Sequence, residues 1–258
     1  MTPQRAGAAA AQDRVAPPDW PAAVDALDAA LAAEGAPERA EQERRYLKST
    51  LRHHGASMPA MRRVWKAWRA AHAPRDAGEL RAFVDEAWGR GVHELREAAV
   101  EELVDAAGLL TPNDLPWLER LLREARTWAL VDPLAAQVVG ALCEAHPEVA
   151  TTTAGWVGDA DVWLRRTSLL VHLLPMRRGD DDAFEPFAVV ADRLLADREF
   201  FVRKALGWVL RERAKRHPEQ VFDWLLPRAG RAAGLTLREA AKPLPEAWRA
   251  ELLAAARR

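Results

Sequence analysis

Apolar residues recur along this chain at spacings of three, four and seven, the period of one helix face, and no segment alternates convincingly with period two. The clearest stripe is Met61, Val64, Trp65 and Trp68, which predicts a helix over about 59–71 with those side chains facing a core. Upstream, Asp19 can cap a helix running to about residue 33 and ending at Gly35, with Trp20 and Pro21 in its first turn. A second helix is expected over about 37–54, stopping at Gly55. Further helices read over about 77–88, 92–107 and 114–126, with a turn at Leu110-Thr111-Pro112-Asn113. Residues 1–18 show no periodicity and read as a disordered tail, which leaves 19–258 as one helical domain.

The C-terminal half repeats itself. Asp161-Val-Trp-Leu-Arg-Arg-Thr-Ser-Leu-Leu and Glu199-Phe-Phe-Val-Arg-Lys-Ala-Leu-Gly-Trp superpose with a shift of 38 residues. Arg165 then falls on Arg203, Arg166 on Lys204 and Trp163 on Phe201. His146-Pro147-Glu148 recurs as His217-Pro218-Glu219. Helix pairs with a period of about 40 residues are the signature of HEAT-type arrays. The expected fold is all-α: a right-handed superhelical stack of about six HEAT-like helix pairs with a concave, basic face.

Composition agrees with a helical, globular chain. Apolar residues make up 49% and charged residues 29% of 258, and Ala, Leu, Arg and Glu dominate over the strand-forming Val and Ile. One cysteine, Cys143, excludes an internal disulfide and fits a reducing compartment. Without a signal-peptide core or an apolar run of about 20 residues, the expectation is a soluble cytoplasmic protein, with a monomer as the default. The net charge is −1, but it is unevenly placed. Residues 37–72 carry nine Lys/Arg against three Asp/Glu, 79–105 carry three against eight, and 198–216 carry seven against two. Such blocks are either ordinary solvated helix faces or one basic and one acidic surface.

The chemistry-bearing candidates are few. The seven histidines are scattered, His53 and His54 are adjacent and so point apart, and no cysteine pair is present, so no metal site is expected. There is no Gly-rich phosphate loop and no Ser/His/Asp arrangement, hence no expected cofactor. What remains is Thr127-Trp128-Ala129-Leu130-Val131-Asp132, which places an aromatic and a carboxylate one helical turn apart. A π-face beside a fixed negative charge can stabilise a cation. Pro133 leaves a second possibility, that Asp132 merely caps a helix over about 133–144. Of the eleven tryptophans, Trp20, Trp65, Trp68, Trp88, Trp117, Trp156, Trp224 and Trp248 are assigned to packing, and Trp163 to anchoring its helix.

Four stretches taken together resemble the AlkD-type DNA alkylation-repair glycosylases, over about 40–238. They are Arg45-Tyr46-Leu47-Lys48-Ser49 with Gly55; Thr127-Trp128 with Val131-Asp132; Val162-Trp163-Leu164-Arg165-Arg166; and Glu199 through Glu212, continuing to Pro218. The resemblance implies a HEAT-like scaffold and a monofunctional glycosylase that releases cationic N3- or N7-substituted purines from duplex DNA without flipping the base. It implies that Asp132 is the catalytic carboxylate and that Trp128 and Trp208 are aromatic walls against the damaged nucleotide. It further implies that Arg166 contacts the DNA backbone, with Tyr46 near the site. Lys48, Arg203, Lys204 and Arg211 are the basic residues expected to meet phosphates. The sequence departs from the family pattern at Thr127 and Ala129, where a second tryptophan and a second acid are common. Two other readings stay open: a non-catalytic helical-repeat binder of DNA structure, and a protein-interaction scaffold.

Overall fold

The computed structural model describes residues 18–256. The expected N-terminal tail lies, apart from Pro18, outside the described residues. The chain is an all-α repeat stack, and among the described residues extended pairing is confined to one isolated parallel bridge, Arg52 to Val92.

Helix α1 (Trp20–Ala33) begins as expected, with the Asp19 carboxylate accepting from the Ala22 N–H at 3.3 Å. Helix α2 (Pro37–Leu47) stops well short of residue 54. Lys48 takes a left-handed conformation, φ 50°, and Ser49 Oγ accepts from the Leu51 N–H at 3.1 Å. Serine and threonine side chains compete for backbone groups, and here Ser49-Thr50 ends the helix. The next residues spend their backbone groups elsewhere. Arg52 exchanges hydrogen bonds with Gly91 and His93, and the N–H groups of His54, Gly55 and Ala56 all donate to the buried Glu94 carboxylate. Gly55 has φ +79°, and a Cβ there would lie 2.3 Å from the Ala36 carbonyl oxygen, so glycine is required.

Helices α3 (Met58–His72), α4 (Ala77–Gly89), α5 (His93–Asp105) and α6 (Leu115–Ala125) follow close to their predicted places. Helix α7 (Trp128–Pro133) then runs through a π-helical turn, Leu134–Val139, into α8 (Gly140–Ala145). Proline cannot donate a backbone hydrogen bond, so the α-helical ladder is broken at Pro133 and the chain re-registers in the wider π turn. The 128–145 run is apolar enough to pass for a membrane span, with mean hydropathy 1.2. Half of it is buried, and it packs on α5, α6 and α10 (Val162–Leu170), as a central core helix does.

The remainder comprises α9 (Pro147–Gly155), α11 (Leu173–Arg178), α12 (Phe184–Leu194), α13 (Phe200–Ala214), α14 (Pro218–Leu225), α15 (Gly234–Ala240) and α16 (Glu246–Ala255). The internal repeat is visible as packing. Helix α10 lies directly on its counterpart α13, and Trp163 packs at a tilt against its repeat equivalent Phe201, ring centres 4.9 Å apart. Ion pairs between successive repeats recur at nearly the same sequence separation: Arg69–Glu102, Arg81–Asp114, Arg123–Asp159, Arg165–Asp197 and Arg177–Glu212. Partly exposed pairs of this kind contribute about 0–1 kcal/mol each. They specify register, while the apolar clusters supply the stability. One cluster runs from Trp20 to Val171 and a second from Ala135 to Leu252, with Val162 touching both. Trp20, Trp65, Trp68, Trp88, Trp117, Trp156 and Trp163 are buried in the first, while Trp224 and Trp248 pack on the second.

Candidate functional site

Thr127, and not Asp132, is the helix cap. Its side chain accepts from the Ala129 N–H, so α7 starts at Trp128 and Asp132 lies inside the helix. The capping role considered for Asp132 is thereby excluded. One turn separates Trp128 from Asp132, and both side chains face the same groove. That groove encloses about 390 Å³ between α7, α10 and α13. Trp128, Asp132 and Trp208 line it, with Tyr46 and Phe200 at its mouth and Lys204 and Arg211 on one side. A second hollow continues past Asp132 and Trp208 along Pro133, Gln137 and Arg177.

Arg166, expected to contact the DNA backbone, lines this groove and is paired within the protein. Its side chain is buried, and its guanidinium grips Asp132 with two parallel bonds, Nε to Oδ1 and Nη2 to Oδ2, both 2.7 Å. Its remaining Nη1 donates to the Phe201 carbonyl at the start of α13. A guanidinium held in this way fixes the orientation of Asp132 while still lining the groove. Asp132 keeps 15% of its side-chain surface exposed, toward the groove. Burial raises its carboxyl above the ordinary value, and the Arg166 charge and hydrogen bonds pull it back down. Each carboxylate oxygen retains a lone pair beyond its bond to Arg166.

The other candidates divide. Tyr46, 74% exposed at the end of α2, meets Trp128 edge-on with ring centres 6.0 Å apart. Trp208 is half-buried on α13 and shared by both hollows. Lys204 and Arg211 are brought to the groove, but both bind Glu239 of α15, at 2.7 and 2.5 Å. Lys242 shares the same carboxylate at 2.8 Å. Burial works against ionisation of Glu239, yet its lysine partners hold it down to about 2. Three cations on one anion leave that flank net positive. Arg203 is turned away, donating to the Asp197 carbonyl at 2.7 Å. Lys48 is exposed beside a separate cleft that includes Arg126. Arg213, counted in the basic block, is buried against the Asp180 carbonyl and Gln220.

Sequence reasoning missed Phe200, Arg177 and Glu239. Phe200 is exposed within the quoted Glu199–Glu212 motif, and an aromatic at a helix start beside a basic run was the available signal. Arg177 and Glu239 carried none. Gly207 places Glu239: a Cβ there would lie 2.6 Å from Glu239 Cβ and 2.9 Å from the Thr236 carbonyl oxygen, so α15 packs close on α13 only over glycine. Glu43, His53 and Glu94, which were not connected in sequence, also converge, at the base of α2.

A family model described as DNA alkylation repair enzyme matches residues 27–244. No curated protein sequence matches the chain. Among solved structures, one titled predicted DNA alkylation repair enzyme from Enterococcus faecalis superposes with a TM-score of 0.72. It is 19% identical, and the match covers 83% of this chain and 98% of that one. At that identity the likeness is one of fold.

Proposed function

The chain belongs to the DNA alkylation repair enzyme family, and on that premise we propose that it is a monofunctional glycosylase for alkylated purines in duplex DNA. The observation that carries the reading is the Asp132 carboxylate, fixed between Trp128 and Trp208 at the floor of an open groove with a basic flank. A purine substituted at N3 or N7 is cationic and already a good leaving group. Its departure leaves oxocarbenium character on the deoxyribose, the same charge problem met in glycoside hydrolysis. A carboxylate held in place before the reaction stabilises that charge without reorganising, and its free lone pairs can orient the attacking water. Each tryptophan face adds about 0.5–2 kcal/mol toward a cation. The groove is open, which suits access to the sugar of a lesion that stays in the stack, unlike enzymes that enclose an extruded base. Lys204 and Arg211 are the phosphate contacts, so binding weakens with salt.

The bidentate grip of Arg166 favours one competing reading, in which the pair is structural and the protein binds DNA without chemistry. The test is release of free base from a duplex containing N7-methylguanine, with wild type beside Asp132→Asn. Asparagine keeps a hydrogen bond to Arg166 and loses the charge. The glycosylase reading expects a drop of at least about 100-fold with duplex affinity retained. Equal release by both proteins, or none by wild type, refutes it.

A further inference from the structure

Helix α2 is anchored poorly by apolar contact, since none of its residues is buried. Yet it carries Tyr46 to the edge of Trp128. Beneath it lies a cluster of a different kind. Glu43 of α2, His53 of the following loop and Glu94 of α5 bring one ligand atom each to within 4.8 Å of one another. The His53 side chain is 1% exposed, and both of its ring nitrogens are buried without a hydrogen-bond partner. Its Nδ1 lies 3.9 Å from Glu43 Oε2. The other Glu43 oxygen, Oε1, is held by Arg39 at 2.7 Å, which leaves Oε2 toward the imidazole. Glu94 is fully buried and oriented by three backbone N–H groups. His93 stacks on His53 at 4.4 Å, with Nδ1 also unpartnered and Nε2 3.2 Å from Glu97.

Three carboxylates and two buried imidazoles thus share one small space. Orphaned buried nitrogens are costly, about 1–3 kcal/mol each. The unpartnered ring nitrogens of His53 face this space, and an imidazole nitrogen is a common metal ligand. We propose that Glu43, His53 and Glu94 form a binding site for a divalent transition-metal cation of the zinc type, which clips α2 to the loop and to α5. One imidazole with two carboxylates suits zinc or manganese better than calcium, which takes oxygen donors alone. In a four-coordinate site with bonds of about 2.0–2.1 Å, the ligand atoms sit about 3.3 Å apart. Binding therefore draws the donors together, and the movement falls on Glu43, whose helix has no buried residue to resist it. The backbone bonds to Glu94 serve as the outer shell that orients a ligand carboxylate. The clip holds Tyr46 beside Trp128 and so sets one wall of the groove.

The test uses the full chain, stripped with chelator and dialysed, and zinc ion alone, followed by calorimetric titration and by thermal unfolding. The expected result is one zinc per chain and a raised Tm. Affinity should fall more than about tenfold in both Glu43→Gln and His53→Gln, and stay unchanged in His146→Gln. Glu43→Gln is nearly isosteric and partly exposed, so it keeps the test valid should His53→Gln unfold. The proposal is overturned by absence of stoichiometric binding, or by binding that Glu43→Gln leaves intact. Either outcome would make the cluster a packed pair of stacked histidines. Neither depends on whether base release is observed.

Discussion

Arg166→Gln probes the centre of the site. The substitution removes the two 2.7 Å bonds to Asp132 and the bond to the Phe201 carbonyl, and leaves a carboxylate in the groove wall without its cation. Breaking a buried pair in this way costs about 3–5 kcal/mol. Asp132 keeps some contact with groove water, which places the expected loss near the lower figure, about 3 kcal/mol. For a chain of this size that is a Tm drop of about 6–12 °C. The pH dependence identifies the cause. Burial raises the Asp132 carboxyl in the folded state, so the folded protein holds that proton more tightly than the unfolded chain. Stability from this group is therefore highest in acid and declines as pH rises through the interval between the two values. Without Arg166 the folded value moves further up and the decline extends further toward neutrality. Urea unfolding followed by tryptophan fluorescence should thus give a larger deficit at pH 8 than at pH 5. Arg178→Gln, which loses an exposed pair with Glu144, is the control and should cost no more than about 1 kcal/mol. A deficit for Arg166→Gln below about 1 kcal/mol, or one equal at both pH values, would refute the argument that this pair is a desolvated charge pair.

Three further expectations follow from the geometry. Gly207→Ala forces α15 away from α13, costing about 1–3 kcal/mol in chemical denaturation and loosening Glu239 from Lys204 and Arg211. Lys204→Gln and Arg211→Gln should each lower the slope of log affinity for duplex DNA against log salt by about 1, with little change in Tm; an unchanged slope removes that residue from the phosphate contacts. His172, edge-on to Phe187, is pushed down to about 4 by burial. Stability from keeping it neutral is present above about pH 6.5 and lost as pH falls toward 4. His172→Phe should flatten that acid loss by about 1–2 kcal/mol, since the ring keeps some contact with water, and an identical pH profile would count against it.

The fold was legible because its period is written twice in the chain. The helix over 59–71, the Asp19 cap and the 38-residue repeat need only local spacing to be read, and the structure bears them out. The second helix misled because Arg52 and the stretch around Gly55 act through partners far away in sequence. Arg52 bridges to Val92, and the backbone of 54–56 is collected by Glu94, some 40 residues downstream. Trp128 and Asp132 could be paired from a four-residue spacing. The partner of Asp132 could not, because Arg166 lies 34 residues on, and nothing local says which of Arg165 and Arg166 faces α7. The same holds for Glu43, His53 and Glu94. Adjacent His53 and His54 do point apart, as the spacing implies, with His54 on Asp28, but where His53 points is fixed by tertiary packing alone.

The repeat also separates what is scaffold in the site from what is not. Of its four basic residues in corresponding registers, three take an acid from a neighbouring repeat: Arg165 takes Asp197, Arg166 takes Asp132, Lys204 takes Glu239, while Arg203 donates to the Asp197 carbonyl. Seen this way, Asp132–Arg166 is one rung of an ionic ladder that the stack uses throughout, and the pairing alone argues for no chemistry. What distinguishes this rung is its surroundings. Asp197 and Glu239 do not line the groove between the tryptophans, whereas Asp132 does. It stands one turn from Trp128, across from Trp208, where a π turn after Pro133 re-registers the helix. A rung that faces open space between two aromatic walls is a fixed charge with somewhere to act. The arginine that makes it look structural is what favours its charged form against burial and keeps it aimed. The proposed chemistry therefore needs one existing ion pair exposed to the groove, and no new pair built. The consequence can be checked: exchanging the Lys204–Glu239 rung for a neutral Gln–Gln pair should change duplex affinity and leave the rate of base release from bound DNA within about threefold. A rate that fell as far as with Asp132→Asn would mean that the rungs act as one unit and that the distinction drawn from their surroundings is wrong.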